Sequence, residues 1–427
     1  MSRVALKVLS DSSPALNAPQ FIRGEGIHLI RDDGAVFVDA ASGTFNLPLG
    51  YNHPEIVEAV VEQVRRYSHL SSTIRTDRGP NALDELIEQA PSNIQAGWFR
   101  DLTGSTANEC AVKIAQKSSG KTDILSLFLS HHGQTQFTTA ISGNSFRRKQ
   151  FPDALSPHSI KMPAPYCHRC FFNATPSSCG MMCVEKIGDF LEHASSGSVA
   201  CMIVEPILGN GGNIVPPPGY FQAISKLCAE NDILMIADEV QTGMGRTGHL
   251  FASEAFDWKP NIITLAKGLG GIGIPVAAVL YEARLDVLDS HDHSFTSGAN
   301  PVALAAMTAT LKVLRSGEVL ADVRRNGVKL GALLGALKEK HRSIGDVRGL
   351  GYMWGLEIDK PDGSPDVSRT EAIIKAAAAS HNLILRGSRY GFGNVVKVRP
   401  PLIATEGDLE TIVTRLSRAI TDVERAG

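Results

Sequence analysis

The sequence has no hydrophobic run of the roughly 18 residues needed to cross a membrane. Its first residues also lack the unbroken apolar core and the small-residue cleavage site of a signal peptide. We therefore expect a cytoplasmic protein without a membrane partner. Nor is there an excess of charge of either sign, since the net charge is −2 and the pI about 6.7. The composition gives no electrostatic reason to expect nucleic-acid binding.

Cysteine is scarce and odd in number, with seven residues in a chain of 427. A disulfide framework is therefore not expected, and reduced thiols are. Four of them lie close together, as Cys167, Cys170, Cys179 and Cys183. A C-x-x-C pair followed by C-x-x-x-C could bind zinc, but the spacing is not that of a standard finger, and buried cysteine often serves as a small hydrophobe. No metal ligand is assigned, and a non-catalytic zinc-binding interaction protein stays open as an alternative.

Internal repeats and low-complexity linkers are absent too. The length and the 43% hydrophobic content favour two domains over one. Local patterns predict a β-hairpin within 21–40, a helix over 55–66, a helix from 301 to about 314, one half-buried strand over 347–358 and further strands within 383–403.

The rest of the chain is organised around the stretch 233–273. It contains two short apolar runs, each of the kind that forms a buried parallel strand. The first ends at Asp238 and Glu239, and the second ends at Lys267. Because ligands bind at the carboxyl ends of strands in open α/β sheets, the carboxylate and the amine can face one ligand. This pair suits pyridoxal phosphate (PLP), for which lysine forms a Schiff base and an acidic residue keeps the pyridinium nitrogen protonated.

Residues 238–248 read DEVQTGMGRTG, and the following apolar run ends at Lys267. This stretch resembles the class III aminotransferases of the ornithine/4-aminobutyrate type, which have PLP fold type I. The resemblance implies that Lys267 and Asp238 are catalytic and that Gln241 contacts the cofactor. It also implies an α/β fold with a mostly parallel sheet in a large domain, 51–300. A smaller α+β domain would be built from an N-terminal segment, 1–50, and a C-terminal one, 301–427.

Three further motifs imply cofactor contacts. A strand, a Gly/Ser turn and a helix follow one another in 97–116, and a helix N-terminus binds anions. By resemblance to the family's S-G-S-E-A-N-E turn, Gly104 and Ser105 would hold the phosphate with Thr106 beside them. The family has an aromatic residue before its His-Gly pair, which places His131 in the stacking position, although a surface histidine is the alternative. Glu205 matches the glutamate of the family's E-P-x-x-G-E-G-G loop.

The segment 291–301 resembles the family motif H-x-S-T-F-G-G-N-P, whose threonine reaches the phosphate of the neighbouring subunit. The resemblance places Thr296 in that role. It implies a homodimer with shared active sites.

The substrate positions depart from the glutamate-using members of the family. In relatives, the residue after the first glycine of a shared glycine-containing stretch lines the substrate pocket. Thr44 has that position here. Gln134 stands where an arginine holds a distal carboxylate, and Asn210 replaces the second glutamate of the E-P loop. Lys397 aligns with the arginine that holds the α-carboxylate, and Arg399 lies two residues on, where it could substitute. Because lysine and glutamine do not bind carboxylates bidentately, the dicarboxylate clamp is weakened.

The resulting hypothesis is amino transfer between a polar primary amine and a carbonyl acceptor. An amino sugar of an aminoglycoside-type antibiotic pathway is an example of such an amine. An epimerase, a racemase or an elimination enzyme of the same fold is the alternative. These enzymes need no second carbonyl substrate, so stoichiometric amino transfer distinguishes an aminotransferase from them.

Overall fold

The computed structural model describes residues 20–426 apart from 72, 73, 75, 77, 152–157, 389 and 390. Part of the predicted N-terminal segment, 1–50, therefore lies outside the described residues. No helix of the described part is both long and apolar enough to span a membrane.

The described residues form three sheets. The strands are β1 (Phe21–Glu25), β2 (His28–Arg31), β3 (Val36–Asp39), β4 (Ala96–Asp101), β5 (Asp123–Leu127), β6 (Ser159–Met162), β7 (Val199–Val204), β8 (Leu234–Asp238), β9 (Ile262–Leu265), β10 (Ala277–Tyr281), β11 (Ile344–Leu350), β12 (Met353–Ile358), β13 (Leu383–Ile384), β14 (Arg386–Gly387) and β15 (Val395–Val398).

Helices cover and connect these sheets. They are α1 (Ser42–Phe45), α2 (Pro54–Arg66), α3 (Arg78–Ile87), α4 (Gly104–Ser119), α5 (Gln136–Ile141), α6 (Ser145–Gln150), α7 (Met182–Glu185), α8 (Ile187–His193), α9 (Gly209–Gly212), α10 (Tyr220–Glu230), α11 (Pro301–Arg315), α12 (Glu318–Lys340), α13 (Val367–His381) and α14 (Glu406–Ala426).

The largest sheet has the strand order β4-β10-β9-β8-β7-β5-β6. Only β10 runs antiparallel to its neighbours, and the pairs from β9 to β6 are parallel. Strands β5, β7, β8 and β9 are buried along their whole length, as expected of parallel strands covered on both faces. The predicted mostly parallel sheet is confirmed. The two apolar runs of 233–273 are the adjacent parallel strands β8 and β9, so their ends lie side by side.

The N-terminal strands form a second sheet, in the order β1-β2-β3-β13. The predicted hairpin is the antiparallel pair β2 and β3, and β1 extends it. Strand β13, from the C-terminal part of the chain, pairs in parallel with β3. Segments from both ends of the chain therefore share this sheet. The predicted domain bounds stay predictions.

The third sheet is antiparallel, with the order β11-β12-β15-β14. The single strand predicted over 347–358 is instead two antiparallel strands, β11 and β12, because the chain turns at Gly351, whose φ is 55°. The long helix α11 begins at Pro301 with Asn300 as its side-chain cap, and ends one residue after the predicted Leu314. Strand β15 contains Lys397, and Arg399 directly follows the strand and donates to the loops after β7 and β8.

Candidate functional site

The carboxyl ends of the parallel strands open onto a cavity of about 310 Å³. Asp238 is the last residue of β8, Lys267 comes two residues after β9, and Glu205 directly follows β7. The strand order explains why these side chains meet, since β7, β8 and β9 are consecutive neighbours. Eight of the predicted site residues line this cavity: Gly104, Ser105, His131, Gln134, Glu205, Asp238, Gln241 and Lys267.

Asp238 is a buried carboxylate that three hydrogen-bond donors hold in place. His132 Nδ1 and Asn108 Nδ2 both donate to Asp238 Oδ2, each at 2.8 Å, and the Val240 N–H donates to Oδ1 at 3.1 Å. Burial acts to raise the pKa of Asp238, but the hydrogen bond and charge of His132, together with the other two donors, hold that pKa below its ordinary value. Asp238 is therefore kept ionised at neutral pH.

The sequence analysis missed Asn108 and His132. Besides Asp238, Asn108 Nδ2 donates to the carbonyl of His132 at 2.7 Å, and Asn108 Oδ1 accepts from Thr264 Oγ1 at 2.7 Å. This amide thus connects α4, the His132 loop and β9 around one carboxylate. A signal was present, because both residues occupy polar positions of the family motifs that identified Gly104 and His131.

Lys267 occupies a strained backbone position. Its φ of 44° lies in the left-handed region, which is costly for a residue with a side chain. Burial and, to a smaller degree, the charge of Arg399 lower the pKa of Lys267 to about 8, while Asp238 and Glu205 act in the opposite direction. The amine therefore gives up its proton more readily than an exposed lysine does, as a nucleophile or a general base requires.

The N-terminus of α4 supplies an anion site. Thr103 caps the helix, no acidic residue lies in its first turn, and Gly104 and Ser105 line the cavity there. A Cβ on Gly104 would come within 2.5 Å of Val240 Cγ1, so the backbone can only approach this closely with glycine. Thr106 does not line the cavity, because its hydroxyl donates back to the Thr103 carbonyl at 2.9 Å.

Glu205 supports the loop that carries His131. Its carboxylate accepts from the His131 N–H at 2.8 Å and from the Gly209 N–H at 2.9 Å. Burial, reinforced by the nearby Asp238, raises the pKa of Glu205. Glu205 therefore joins two loops at the edge of the cavity.

Two buried cations lie behind the cavity lining. Lys397 is 2% exposed and Arg399 is 0% exposed. The Phe45 ring lies against both, 5.8 Å from Lys397 Nζ and 4.2 Å from the guanidinium carbon of Arg399. Within the described part of the chain neither cation is ion-paired with a carboxylate, and burial is the main reason why the pKa of each falls well below its ordinary value.

The remaining predicted positions are spread around the cavity. Gln134 is exposed at its edge, whereas Thr44 and Asn210 do not line it. The carbonyl of Asn210 accepts from Ser388 Oγ at 2.8 Å. Thr296 is exposed on this single chain, so its predicted contact with a partner subunit stays a prediction.

The four clustered cysteines line a separate cavity of about 380 Å³, and all four are free thiols. Burial, and to a smaller degree the neighbouring thiols, raise the pKa of Cys167 and raise that of Cys183 to about 11. In the described residues, the sets of three close metal-ligand atoms lie elsewhere: Asp101, Cys110 and His293, and His168, Glu357 and Asp359. The cysteines therefore add no support for a zinc-binding protein.

Comparison with known proteins settles the family. The model of the family "Aminotransferase class-III" matches residues 13–420. The chain belongs to the class III aminotransferase family. Among its relatives is a leucine/methionine racemase of Thermococcus litoralis, 35% identical over 91% of this chain and 87% of the relative. An acetylornithine aminotransferase of Methanothermobacter thermautotrophicus is 32% identical over 94% of this chain and 93% of that protein.

Solved structures agree with this assignment. An amine transaminase from an uncultivated Pseudomonas species, with PLP bound, is 26% identical, and the match covers 97% of each chain with a TM-score of 0.89. The predicted fold, PLP fold type I, is thereby confirmed. This class III enzyme is a PLP-dependent aminotransferase, as predicted.

The residues present fit the cofactor. The cavity offers an anion site at a helix N-terminus, a buried ionised carboxylate and a lysine with a lowered pKa. Gly104 lets the first turn of α4 pack against Val240 at the cavity wall, where a Cβ would collide with that side chain. These are the groups that PLP requires for its phosphate, its ring nitrogen and its aldehyde.

Proposed function

We propose that this aminotransferase moves an amino group between a polar primary amine without a distal carboxylate and a carbonyl acceptor. An amino sugar of an aminoglycoside-type pathway is one such amine. Recognition of this amine would rest on neutral hydrogen-bonding groups at the cavity edge.

One observation carries the proposal: none of the described residues that line the cavity is an arginine. Gln134 occupies the edge where the family resemblance places an arginine for a distal carboxylate. The lining cations are Lys267 and, when protonated, the two histidines His131 and His132. An arginine binds a carboxylate strongly through two parallel hydrogen bonds. Because no arginine lines the cavity in the described residues, the distal carboxylate of a dicarboxylate amino donor has no such partner here.

PLP, when bound through a Schiff base with Lys267, supplies an electron sink for the carbon that bears the amine. In that setting Asp238 holds a proton on the ring nitrogen, and His132 and Asn108 keep the Asp238 carboxylate oriented and ionised. The Lys267 amine would be the base that moves the proton at that carbon. Lys267 lies two residues after β9, in a backbone conformation with a φ of 44°.

A competition assay tests the substrate class. Dicarboxylic amino acids, ω-amino acids and amino sugars are offered together, and the consumption of each is followed. We expect the amino sugars and other polar amines to be consumed fastest. Highest specificity for 4-aminobutyrate with 2-oxoglutarate would show that residues outside the cavity lining rebuild the dicarboxylate clamp.

Racemisation of a simple amino acid is a second candidate, and the position of Lys397 favours it. Lys397 is buried behind the cavity lining and has no carboxylate partner in the described residues, so a single α-carboxylate in the cavity would favour its protonated form. The leucine/methionine racemase of Thermococcus litoralis is a relative with 35% identity, so racemases occur among the relatives of this chain. Incubation of L-leucine and L-methionine with the holoenzyme in D₂O, without any carbonyl acceptor, separates the two reactions. D-enantiomer and deuterium at the α-carbon support racemisation, and unchanged L-enantiomer excludes it for these substrates.

We also propose a homodimer in which Thr296 serves the partner's site, because Thr296 is exposed on a loop tied to the phosphate region. His293 of that loop contacts the Asp101 carboxylate at 2.9 Å, and Asp101 ends the strand that leads into Gly104. Mixing inactive Lys267→Ala protein with Thr296→Val protein should restore one intact site per mixed dimer. If the active enzyme sediments as a monomer, or if mixing restores nothing, the shared site is wrong.

A further inference from the structure

The guanidinium of Arg399 donates hydrogen bonds to two loops beside the cavity, and Arg399 itself does not line the cavity. Its Nη1 donates to Gln241 Oε1, and its Nη2 donates to the Gly209 carbonyl at 3.0 Å. Gln241 lines the cavity, whereas Arg399 does not. The two ends of the guanidinium fork therefore bridge the loops that follow β7 and β8.

We propose that Arg399 is a positioning residue that fixes the Gln241 amide with its N–H₂ group facing the cofactor. An amide has one acceptor end and one donor end. Because Arg399 occupies the acceptor oxygen, the group that remains for the cavity is the donor Nε2. Hydrogen bonding to a charged donor also polarises the amide and strengthens its own N–H as a donor.

The cofactor offers one acceptor that suits this donor. Of the polar groups of PLP, the phosphate would lie at the N-terminus of α4 and the ring nitrogen would face Asp238. The remaining acceptor is the ring oxygen beside the Schiff base. A donor on that oxygen weakens its hold on the Schiff-base proton, and so lowers the pKa of the Schiff base. Arg399 would thus tune the cofactor through Gln241 without touching it.

The packing leaves the amide little alternative. A Cβ on Gly209 would lie 1.8 Å from Gln241 Oε1 and 3.3 Å from Arg399 Nη2, so the pair fills the space above this glycine. The backbone of Arg399 is fixed as well, because its N–H donates to the Ala40 carbonyl at 2.7 Å and its carbonyl accepts from Ser42 Oγ at 2.7 Å. The guanidinium is therefore held from the side of the N-terminal sheet.

A double-mutant cycle tests the proposal on the PLP-loaded enzyme. Arg399→Lys, Gln241→Ala and the double variant are compared by titrating the visible absorbance of the Schiff base against pH. Each single variant should raise the pKa of the Schiff base by roughly one unit, a tenfold change in the ratio of its two forms. The double variant should shift no further than Gln241→Ala alone, since Arg399 acts through that amide.

Two more variants separate positioning from mere stability. Arg246 is also buried, and it donates to the Pro400 carbonyl and, at 3.3 Å, to Ser42 Oγ, but it has no contact with Gln241. Arg246→Lys should lower the melting temperature and leave the titration unchanged. If Arg399→Lys does not fold, Gly209→Ala displaces the amide oxygen and should give the same upward shift.

The inference rests on the proposed contact between Gln241 and the cofactor, and the cycle distinguishes the two failures. If Gln241→Ala shifts the titration but Arg399→Lys and Gly209→Ala do not, Arg399 has no positioning role. If Gln241→Ala itself shifts nothing, the cofactor contact is wrong. Neither outcome depends on which amine the enzyme uses, because no substrate is added.

Discussion

Two groups of cations in this enzyme have opposite electrostatic surroundings. Next to the β11–β12–β15 sheet, Arg169 and Arg348 both contact the buried carboxylate of Glu357, Arg348 at 2.6 Å. Burial acts against both charges, yet their acidic neighbours raise the pKa of each arginine. At the cofactor cavity, burial lowers the pKa of Lys267 to about 8 and lowers those of Lys397 and Arg399 well below their ordinary values.

The difference separates structural charge from functional charge. The Glu357 network is closed, because Tyr166 and Arg169 also donate to that carboxylate, and it attaches the loop after β6 to β12. The cations of the cavity lack such partners within the described chain, so their desolvation is not offset in the protein alone. Buried cations without a carboxylate partner are stabilised when a bound anion becomes their partner or when they act as nucleophiles.

The largest effect is expected from Lys267→Ala. This variant removes the amine that binds the cofactor covalently and moves the proton, so turnover should fall by at least about a thousandfold. Thermal stability of the apoprotein should not fall, because the variant removes a desolvated amine from a buried site. Steady-state turnover and a melting curve measure the two effects. Substantial residual activity would show that the cations of the cavity are not the functional ones.

Glu357→Gln is the matching change in the closed network. It leaves two partly buried arginines short of a carboxylate that is itself fully buried, and we expect a loss of roughly 3 kcal/mol in the free energy of unfolding. The arginines and Tyr166 outweigh the effect of burial and lower the pKa of Glu357 to about 2. Its stabilisation is therefore present above the ordinary value of 4.5 and is lost as the pH falls through the folded pKa.

Denaturant titrations at pH 7 and near pH 3 check this sign. The difference in stability between wild type and Glu357→Gln should shrink at the lower pH, and the turnover of the folded variant should stay near that of wild type. An equal difference at both pH values would mean that the network is not held by charge.

Gln134→Arg should sharpen the contrast by adding a cation to the cavity edge. A new bidentate contact is expected to improve kcat/KM for 4-aminobutyrate about tenfold, since charge-assisted hydrogen bonds contribute about 1.5–3 kcal/mol. Gln134→Lys is the matched control, which adds charge without the fork and should gain less. No improvement with either variant would place the distal end of the substrate elsewhere.

Lys397→Met is expected to have the smallest effect on the fold, and in the stabilising direction. Replacing a buried, unpaired cation by an apolar side chain of similar length should add roughly 1 kcal/mol to the stability. The same change should weaken any substrate that carries an α-carboxylate. A destabilised variant would indicate that Lys397 has a partner in the folded protein, and that the two groups of cations do not differ as proposed.

Much of this fold could be predicted from the sequence, because its signals are local. The buried parallel strands are continuous apolar runs, and DEVQTGMGRTG with Lys267 identified the strand ends that meet. The partners of Asp238 were not predicted: Asn108 and His132 lie far from it in sequence, and only the packed sheet brings them together. Arg399 was predicted as a substrate contact because strand periodicity places it on the same face as Lys397. Periodicity does not show that the guanidinium of Arg399 donates to Gln241.

The assignment of Lys267 as the cofactor lysine is best tested directly, because Lys397 is a second buried lysine with a lowered pKa at the same site. The holoenzyme is reduced with borohydride, digested, and mapped by mass spectrometry. We expect the pyridoxyl group on the peptide that contains Lys267. A pyridoxyl group on Lys397 or on any other lysine would contradict it.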